Sequence, residues 1–332
     1  MINRQHQHQR GVALIIVLLI VALVVVLGTE MGGRLQLNIQ RIQNIKDNNQ
    51  AQWYAYSAEA FAEKSIKLIY EQSAEKIHAG QPWAEEVIFP LDGGGLQAQL
   101  VDMQSCFNLN ALAEATSDQL QEQSVTPQME AFQRLLASIE REEPIESFTI
   151  DTVRDSLADW LDTDDRTRDF GAEDPEYESR QVPYLAANGL MVSQTEFRLI
   201  NGVSSDWIND VWPFVCVIPN SSELKINVNT LTPEQAPVLA GLAGISLSEA
   251  NELIGRRPGD GWEDIEDFLG ESVFQTTPLN DEQRAWFDIT TTYFILHTKA
   301  RYNNASFSMS SLFQSTSATS VSVIRREFGG IE

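Results

Sequence analysis

Along the chain the spacing of apolar positions changes character three times. Residues 1–11, MINRQHQHQRG, are polar and basic, and sixteen uninterrupted apolar residues follow, Val12 to Leu27. Extended by Gly28 and Thr29, that run comes close to the ~20 residues a helix needs to cross a bilayer. From Leu35 the pattern turns amphipathic. Leu35, Ile39, Ile42, Ile45, Trp53, Tyr56, Ala60, Phe61 and Leu68 recur at helical spacing, with no Pro or Gly among them. The spacing predicts one continuous helix of about sixty residues, which at 1.5 Å per residue extends ~90 Å. The Gly32–Gly33 pair leaves a second arrangement open, an anchor followed by a separate surface helix.

Past Gly80 the period becomes two. Two strands are expected around the turn Asp92-Gly93-Gly94-Gly95, with Leu96, Ala98 and Leu100 on one face. Three more, near 287–301, 305–316 and 319–328, close the chain, with Asn303–Asn304 marking a hairpin. Between them the pattern is mainly helical. Met129, Phe132, Leu135, Leu136 and Ile139 form one apolar face, and Val153, Leu157, Trp160 and Leu161 another. A short echo, FNLNAL at Phe107–Leu112 and INVNTL at Ile226–Leu231, reads twice as a strand closed by a capping Asn.

Composition narrows the chemistry. The formal net charge of -24 repels phosphate backbones and leaves room for divalent cations or a solvated acidic surface. Cys106 and Cys216 are the only cysteines. In an oxidising compartment they would form one disulfide; the alternative is two buried thiols. Histidines are His6, His8, His78 and His297, too few and too scattered for a multi-histidine metal site. The sequence has no H-E-x-x-H, no G-x-S-x-G and no phosphate-cradling glycine loop.

The N-terminus resembles those of type IV pilins and type II secretion pseudopilins. The resemblance implies a leader, 1–11, cut after Gly11 by a prepilin peptidase, leaving Val12 as an N-methylated mature terminus. It further implies a retained transmembrane and assembly helix over 12–33. Most relatives carry glutamate at the fifth mature position, here Ile16. That carboxylate would neutralise the neighbouring subunit's free amine inside an apolar bundle, where a bare charge is costly. A subunit with no neighbour above needs no such carboxylate, and an apolar residue there is the pattern of the K-type minor pseudopilin. Glu30 comes too late to serve.

The same resemblance implies an α+β fold: a long N-terminal α-helix packed on a small antiparallel sheet, interrupted by a large α-helical insertion. Stem and first strands would span 34–111, the insertion 112–283 with both Asn motifs at its edges, and the closing strands 284–332. It also implies a single pass through the bacterial inner membrane with the body in the periplasm, at the tip of a pseudopilus that it nucleates. The minor pseudopilins I and J, with H nearby, are the expected partners, and no catalysis is expected. Rival readings are a minor pilin of a type IV pilus, a DNA-uptake protein and an anchored periplasmic hydrolase.

Two internal stretches bear on ligands. Between Asp159 and Glu178 nine carboxylates face only Arg166 and Arg168. Asp162, Asp164 and Glu173 match positions one, three and twelve of an EF-hand loop, but Arg166 and Thr167 fail at five and six. A solvated acidic loop accounts for the composition. The K pseudopilins, however, carry calcium in their insertion, and the resemblance makes Asp162, Asp164, Asp165, Glu173 and Asp174 the candidate calcium ligands. Residues 226–270 resemble a helix-hairpin-helix unit. Arg256 and Arg257 are ringed there by Glu249, Glu252, Asp260, Glu263, Asp264, Glu266 and Asp267, so a packing module is expected and nucleic acid is not.

Overall fold

The computed structural model describes residues 10–116 and 125–329; the first nine residues of the expected leader lie outside it. Helix α1 (Arg10–Ser73) runs 64 residues without interruption. Gly32 and Gly33 do not break it, so the separate surface helix is not what the chain adopts. In lipid an apolar segment has no water to satisfy its backbone, and a helix crossing a glycine pair keeps every hydrogen bond.

A hairpin follows, β1 (Val87–Leu91) and β2 (Gly94–Asp102). The chain then leaves the sheet. It forms β3 (Phe107–Asn108) and the helices α2 (Pro127–Ser138), α3 (Ser147–Leu161), α4 (Asp174–Glu178) and α5 (Ile208–Val211). Two short strands come next, β4 (Val215–Cys216) and β5 (Ile226–Asn227). Helices α6 (Ala236–Ala243), α7 (Leu247–Arg256), α8 (Ile265–Leu269), α9 (Val273–Thr276) and α10 (Asp281–Ala285) then lead to β6 (Phe287–Asp288). The strands β7 (Tyr293–Tyr302), β8 (Ala305–Ser317) and β9 (Ser320–Phe328) re-enter the sheet.

The main sheet has the order β1-β2-β7-β8-β9, every neighbour antiparallel. Because β2 pairs with β7 from Gly94↔Tyr302 to Asp102↔Phe294, the inserted unit departs and returns side by side. The first closing strand starts at Tyr293, later than its alternating pattern implies: Phe287 and Asp288 pair in parallel with Ile226 and Asn227 instead. The pattern placed the insertion's limits at 112 and 283, whereas the chain leaves the main sheet after Asp102 and rejoins it at Tyr293.

Two cores result. On α1, Ala51, Ala55, Ala58 and Ala62 are buried at helical spacing, followed by Ile66 and Ile69. Methyl side chains let the helix backbone settle close onto Leu96, Leu100, Phe294, Leu296 and Phe313. Glu59 fastens the helix to β9 through both carboxylate oxygens, at 2.7 and 2.9 Å from Arg326. The inserted unit has its own larger core around Phe107, Phe132, Tyr177, Phe197 and Phe268, all fully buried. Gly241 permits its tightest crossing, since a Cβ there would stand 2.8 Å from the Leu135 backbone.

The two Asn motifs are built alike, and their work differs from helix capping. Asn108 and Asn227 each accept a hydrogen bond from the backbone N–H two residues on. Asn110 then donates to the Met191 carbonyl and accepts from the Met191 N–H. Asn229 does the same with Trp262. A primary amide is the side chain that can imitate a peptide group on both its edges, so each motif splices a remote loop onto a two-residue strand.

Candidate functional site

At the N-terminus, Gly11 and Val12 lie in the first turns of α1, and Ile16 is exposed among uniformly exposed aliphatic neighbours. The helix is long and apolar enough over this stretch to cross a membrane. Its first carboxylate, Glu30, is bound by Arg34 at 2.7 Å one turn on.

The acidic loop begins where α3 stops. Asp155 and Asp159 lie on the helix's final turns, where the dipole is negative and carboxylates are disfavoured. Asp155 is satisfied by the Arg154 guanidinium at 2.8 Å and the Phe170 N–H at 3.3 Å. Asp159 is not. It is fully buried, and one oxygen accepts from the Arg168 N–H at 3.2 Å. Its other oxygen stands 3.4 Å from the Arg168 guanidinium, at ion-pair distance but without hydrogen-bond alignment. Gly171 is required here, because a Cβ would meet the Asp159 carboxylate at 1.9 Å.

Glu173 is more exposed to electrostatic cost. The residue is 3 % exposed, and neither carboxylate oxygen has a hydrogen-bond donor. Burial first, and then the charges of Asp159, Asp162, Asp174 and Asp165, push its pKa up to about 8. Burial likewise raises Asp159 to about 7, against the pull of Arg168. Beside the loop, Trp160, Tyr177 and Tyr184 form an aromatic cluster, with ring centroids 5.4 Å apart for Trp160–Tyr177 and 5.3 Å for Tyr177–Tyr184.

Of the five ligands expected from sequence, Asp162 is buried, and Asp162, Asp165 and Asp174 all act on Glu173. Asp164 accepts from the Arg166 N–H at 2.8 Å, and Asp174 from the Ala186 N–H at 2.9 Å. Sequence reasoning passed over Asp159. The signal available was its place at the negative end of α3, four residues after another aspartate. As the side chains stand, no three His, Cys, Asp or Glu groups among the described residues close on one point at metal-binding distance. The donor set is nonetheless the oxygen-only, carboxylate-rich kind that suits calcium, and it contains buried oxygens lacking any donor.

Cys106 and Cys216 are joined in a disulfide, with Cα atoms 5.8 Å apart. They sit in a small core with Met103, Ile218, Ile295 and Leu312, where the insertion meets the sheet. Closing a loop of this length stabilises a fold by about 4–5 kcal/mol in the chain-entropy picture. In the helix-hairpin-helix-like stretch, Gly244 takes φ 68° between α6 and α7. Arg256 pairs with Glu252 and Glu271, while Arg257 donates to the Val228 and Leu231 carbonyls. Arg256 is thus paired with carboxylates at the surface, and Arg257 is engaged by carbonyls of the fold.

Two family models, both described as type II secretion system protein K, match residues 105–220 and 226–290. Type II secretion system protein K of Aeromonas hydrophila is 33% identical over 98% of this chain and 99% of its own. The chain belongs to the type II secretion system protein K family. The Klebsiella pneumoniae protein K is 32% identical over 98% of both chains. A chain of the GspK-GspI-GspJ complex from enterotoxigenic Escherichia coli superposes with a TM-score of 0.77 at 28% identity, covering 87% of this chain and 99% of that one.

The two matched regions of the protein K family correspond to physical units here. The first spans the disulfide, the acidic loop and the FNLNAL motif; the second runs from INVNTL through the α6–α7 hairpin to β6. As a minor pseudopilin of type II secretion, the chain combines the helix-on-sheet plan with this two-part insertion.

Proposed function

We propose that the chain is the tip subunit of the pseudopilus, assembled with the minor pseudopilins I and J and with H nearby, and that it nucleates the fibre without catalysing a reaction. One observation carries this reading. From Val12 to Thr29 the helix presents no carboxylate, and Ile16 is an exposed aliphatic residue among others. Cleavage after Gly11 by prepilin peptidase would free the Val12 amine. Without an acid at Ile16 the subunit cannot neutralise an amine arriving above it, and an isolated charge in that apolar setting is costly. The two-part insertion would also obstruct a subunit docking above. The protein K structure in the GspK-GspI-GspJ complex supports the choice of partners. The single apolar helix supports anchoring in the inner membrane, with the body in the periplasm.

Calcium belongs to the same proposal. Asp159, Asp162 and Glu173 would hold it from the buried side of the loop, with Asp164, Asp165 and Asp174 toward the rim. When bound it would supply positive charge where buried carboxylates now oppose one another. Gly171 lets the loop pass close against Asp159, which supports placing that carboxylate beside the loop's own.

The decisive test is Ile16→Glu in the full-length protein. Fibre initiation in cells lacking the wild-type copy should fall severalfold while membrane insertion is unchanged. An initiation rate equal to wild type, or a mature terminus other than Val12 by mass spectrometry, overturns the tip assignment.

A further inference from the structure

The charge of the chain is divided unevenly between its two units. Residues 103–292, inserted between β2 and β7, hold 35 Asp and Glu against 11 Lys and Arg, a net charge of -24. The remainder, stem and sheet strands included, holds 12 of each and is neutral. The whole formal charge of the chain therefore sits on the inserted unit. Within a Debye length of about 8 Å at physiological ionic strength, that surface repels phosphate, anionic headgroups and a second copy of itself, and it attracts cations.

The same unit carries an aromatic pair turned outward. Phe148, in the first turn of α3, is 66 % exposed, and Phe170, in the acidic loop, is 40 % exposed. Their rings meet edge-on with centroids 5.8 Å apart. Hydrogen bonds hold both there. The Phe170 N–H donates to Asp155 at 3.3 Å, its carbonyl accepts from the Ser156 hydroxyl at 3.5 Å, and the Phe148 carbonyl accepts from the Thr152 hydroxyl at 2.9 Å. Within three residues of either ring, the charged side chains that reach solvent are Glu146, Asp151 and Asp169. Arg168, in the same stretch, is buried beside Asp159.

An aromatic face rimmed by carboxylates suits a guanidinium. Arginine stacks flat on the ring and still directs its N–H groups at carboxylates around the edge, whereas a lysine ammonium is a hydrated point charge. We propose that Phe148 and Phe170, with Glu146, Asp151 and Asp169 around them, receive an arginine-bearing segment of a partner protein. Nucleic acid, anionic lipid and a second copy of this chain are all disfavoured by the charge of the inserted unit. The surface is separate from α1 and from the carboxylates assigned to calcium, so it stands whether or not the tip assignment does.

Three labelled peptides test this by fluorescence anisotropy, with the full-length protein in non-ionic detergent at physiological salt. One alternates arginine with serine, and the others replace every arginine by lysine or by glutamate. The arginine peptide should bind severalfold more tightly than the lysine peptide, and the glutamate peptide should not bind. Phe148→Ala leaves the net charge untouched and should weaken the arginine peptide about tenfold, with thermal unfolding unchanged. Phe170→Leu, which keeps an apolar contact in the loop but removes the ring, should act in the same direction. Phe328→Ala, at a ring 56 % exposed on the neutral sheet, should alter nothing. Equal binding of the arginine and lysine peptides, or wild-type affinity in both Phe148→Ala and Phe170→Leu, overturns the proposal, because attraction without an anchor is then sufficient. Glu146→Gln combined with Asp169→Asn should weaken the arginine peptide and flatten its salt dependence; an unchanged salt dependence overturns the assignment of those carboxylates.

Discussion

Two buried carboxylates, Asp102 and Glu173, are each 3 % exposed, and the fold treats them in opposite ways. Asp102 sits where the insertion leaves the sheet. One of its oxygens accepts from the Gln104 N–H at 2.7 Å, the other from Asn227 at 3.0 Å and Thr230 at 2.6 Å. Gln104 extends the network to Thr291 and Thr292 on the returning segment. Every donor comes from the chain itself. Glu173, in the acidic loop, has no donor and four acidic neighbours. Burying a charge is tolerable when partners are fixed in place. The seam brings its own partners, whereas the loop supplies none for Glu173, and calcium is the outside partner we propose for it.

The largest effect should come from withholding that outside partner. With calcium at 100 times its dissociation constant or more, binding linkage stabilises the fold by about 3–4 kcal/mol. Chelation at pH 8 should therefore lower the melting temperature by several degrees. The pH dependence follows from the directions of the shifts. Glu173 and Asp159 titrate near 8 and 7 in the fold and near 4 when unfolded, so the metal-free fold binds more protons than the unfolded chain across that window. The pair's contribution to the stability of the metal-free fold is fully present near pH 4 and is lost as pH rises toward 8. Calcium competes with those protons, so the chelator's effect should be large at pH 8 and small at pH 5. Equal shifts at both values would dissolve the contrast with Asp102.

Next in size is Asp102→Ala. It strands Asn227, Thr230 and the Gln104 N–H, at a cost of about 1–3 kcal/mol. Because the lost partners are internal, thermal unfolding should show the same loss with calcium or with chelator. Burial raises the Asp102 pKa to about 6. Its own contribution to pH dependence is therefore confined to about pH 4–6, where stability again falls as pH rises. A calcium-dependent penalty would mean that seam and loop are one coupled unit.

How much of this could be read in advance varies with the range of the interactions. The α1 helix was legible from its local apolar pattern, but the face it buries was not: Ile42, Trp53, Phe61 and Leu68 of the expected stripe are exposed, and Ala51, Ala55, Ala58 and Ala62 pack on the sheet instead, because only small side chains let the backbone approach it. The β1–β2 turn was legible because Asp92-Gly93-Gly94-Gly95 fixes the backbone: Gly93 takes φ 79° and a Cβ at Gly94 would overlap the Arg301 carbonyl. The pairing of Phe287 with Ile226 was not, since two residues carry no period and their partners lie sixty positions away. In the acidic loop, composition showed the crowd of carboxylates but not which of them are buried. Carboxylates crowd the sequence evenly, whereas the tertiary fold buries Asp159, Asp162 and Glu173 and leaves Asp164 and Asp165 nearer solvent.

The smallest predicted effect separates carboxylates that are adjacent in sequence. Asp164 is partly exposed and already accepts from the Arg166 N–H, forming a local turn, and it is not among the four charges that act most strongly on Glu173. Asp165, one residue on, is more exposed but does act on Glu173. If calcium is held chiefly from the buried side, Asp164→Ala should change the chelator-sensitive melting shift by no more than about 0.5 kcal/mol, the usual range for a surface substitution. Asp165→Ala should reduce that shift measurably, and in the metal-free protein it should raise stability slightly by relieving Glu173. Opposite signs with and without calcium are what a carboxylate near a cation must produce: it repels its neighbours in the cation's absence and shares the ion in its presence. A loop that was acidic only for solubility would give the same small change for both residues under both conditions.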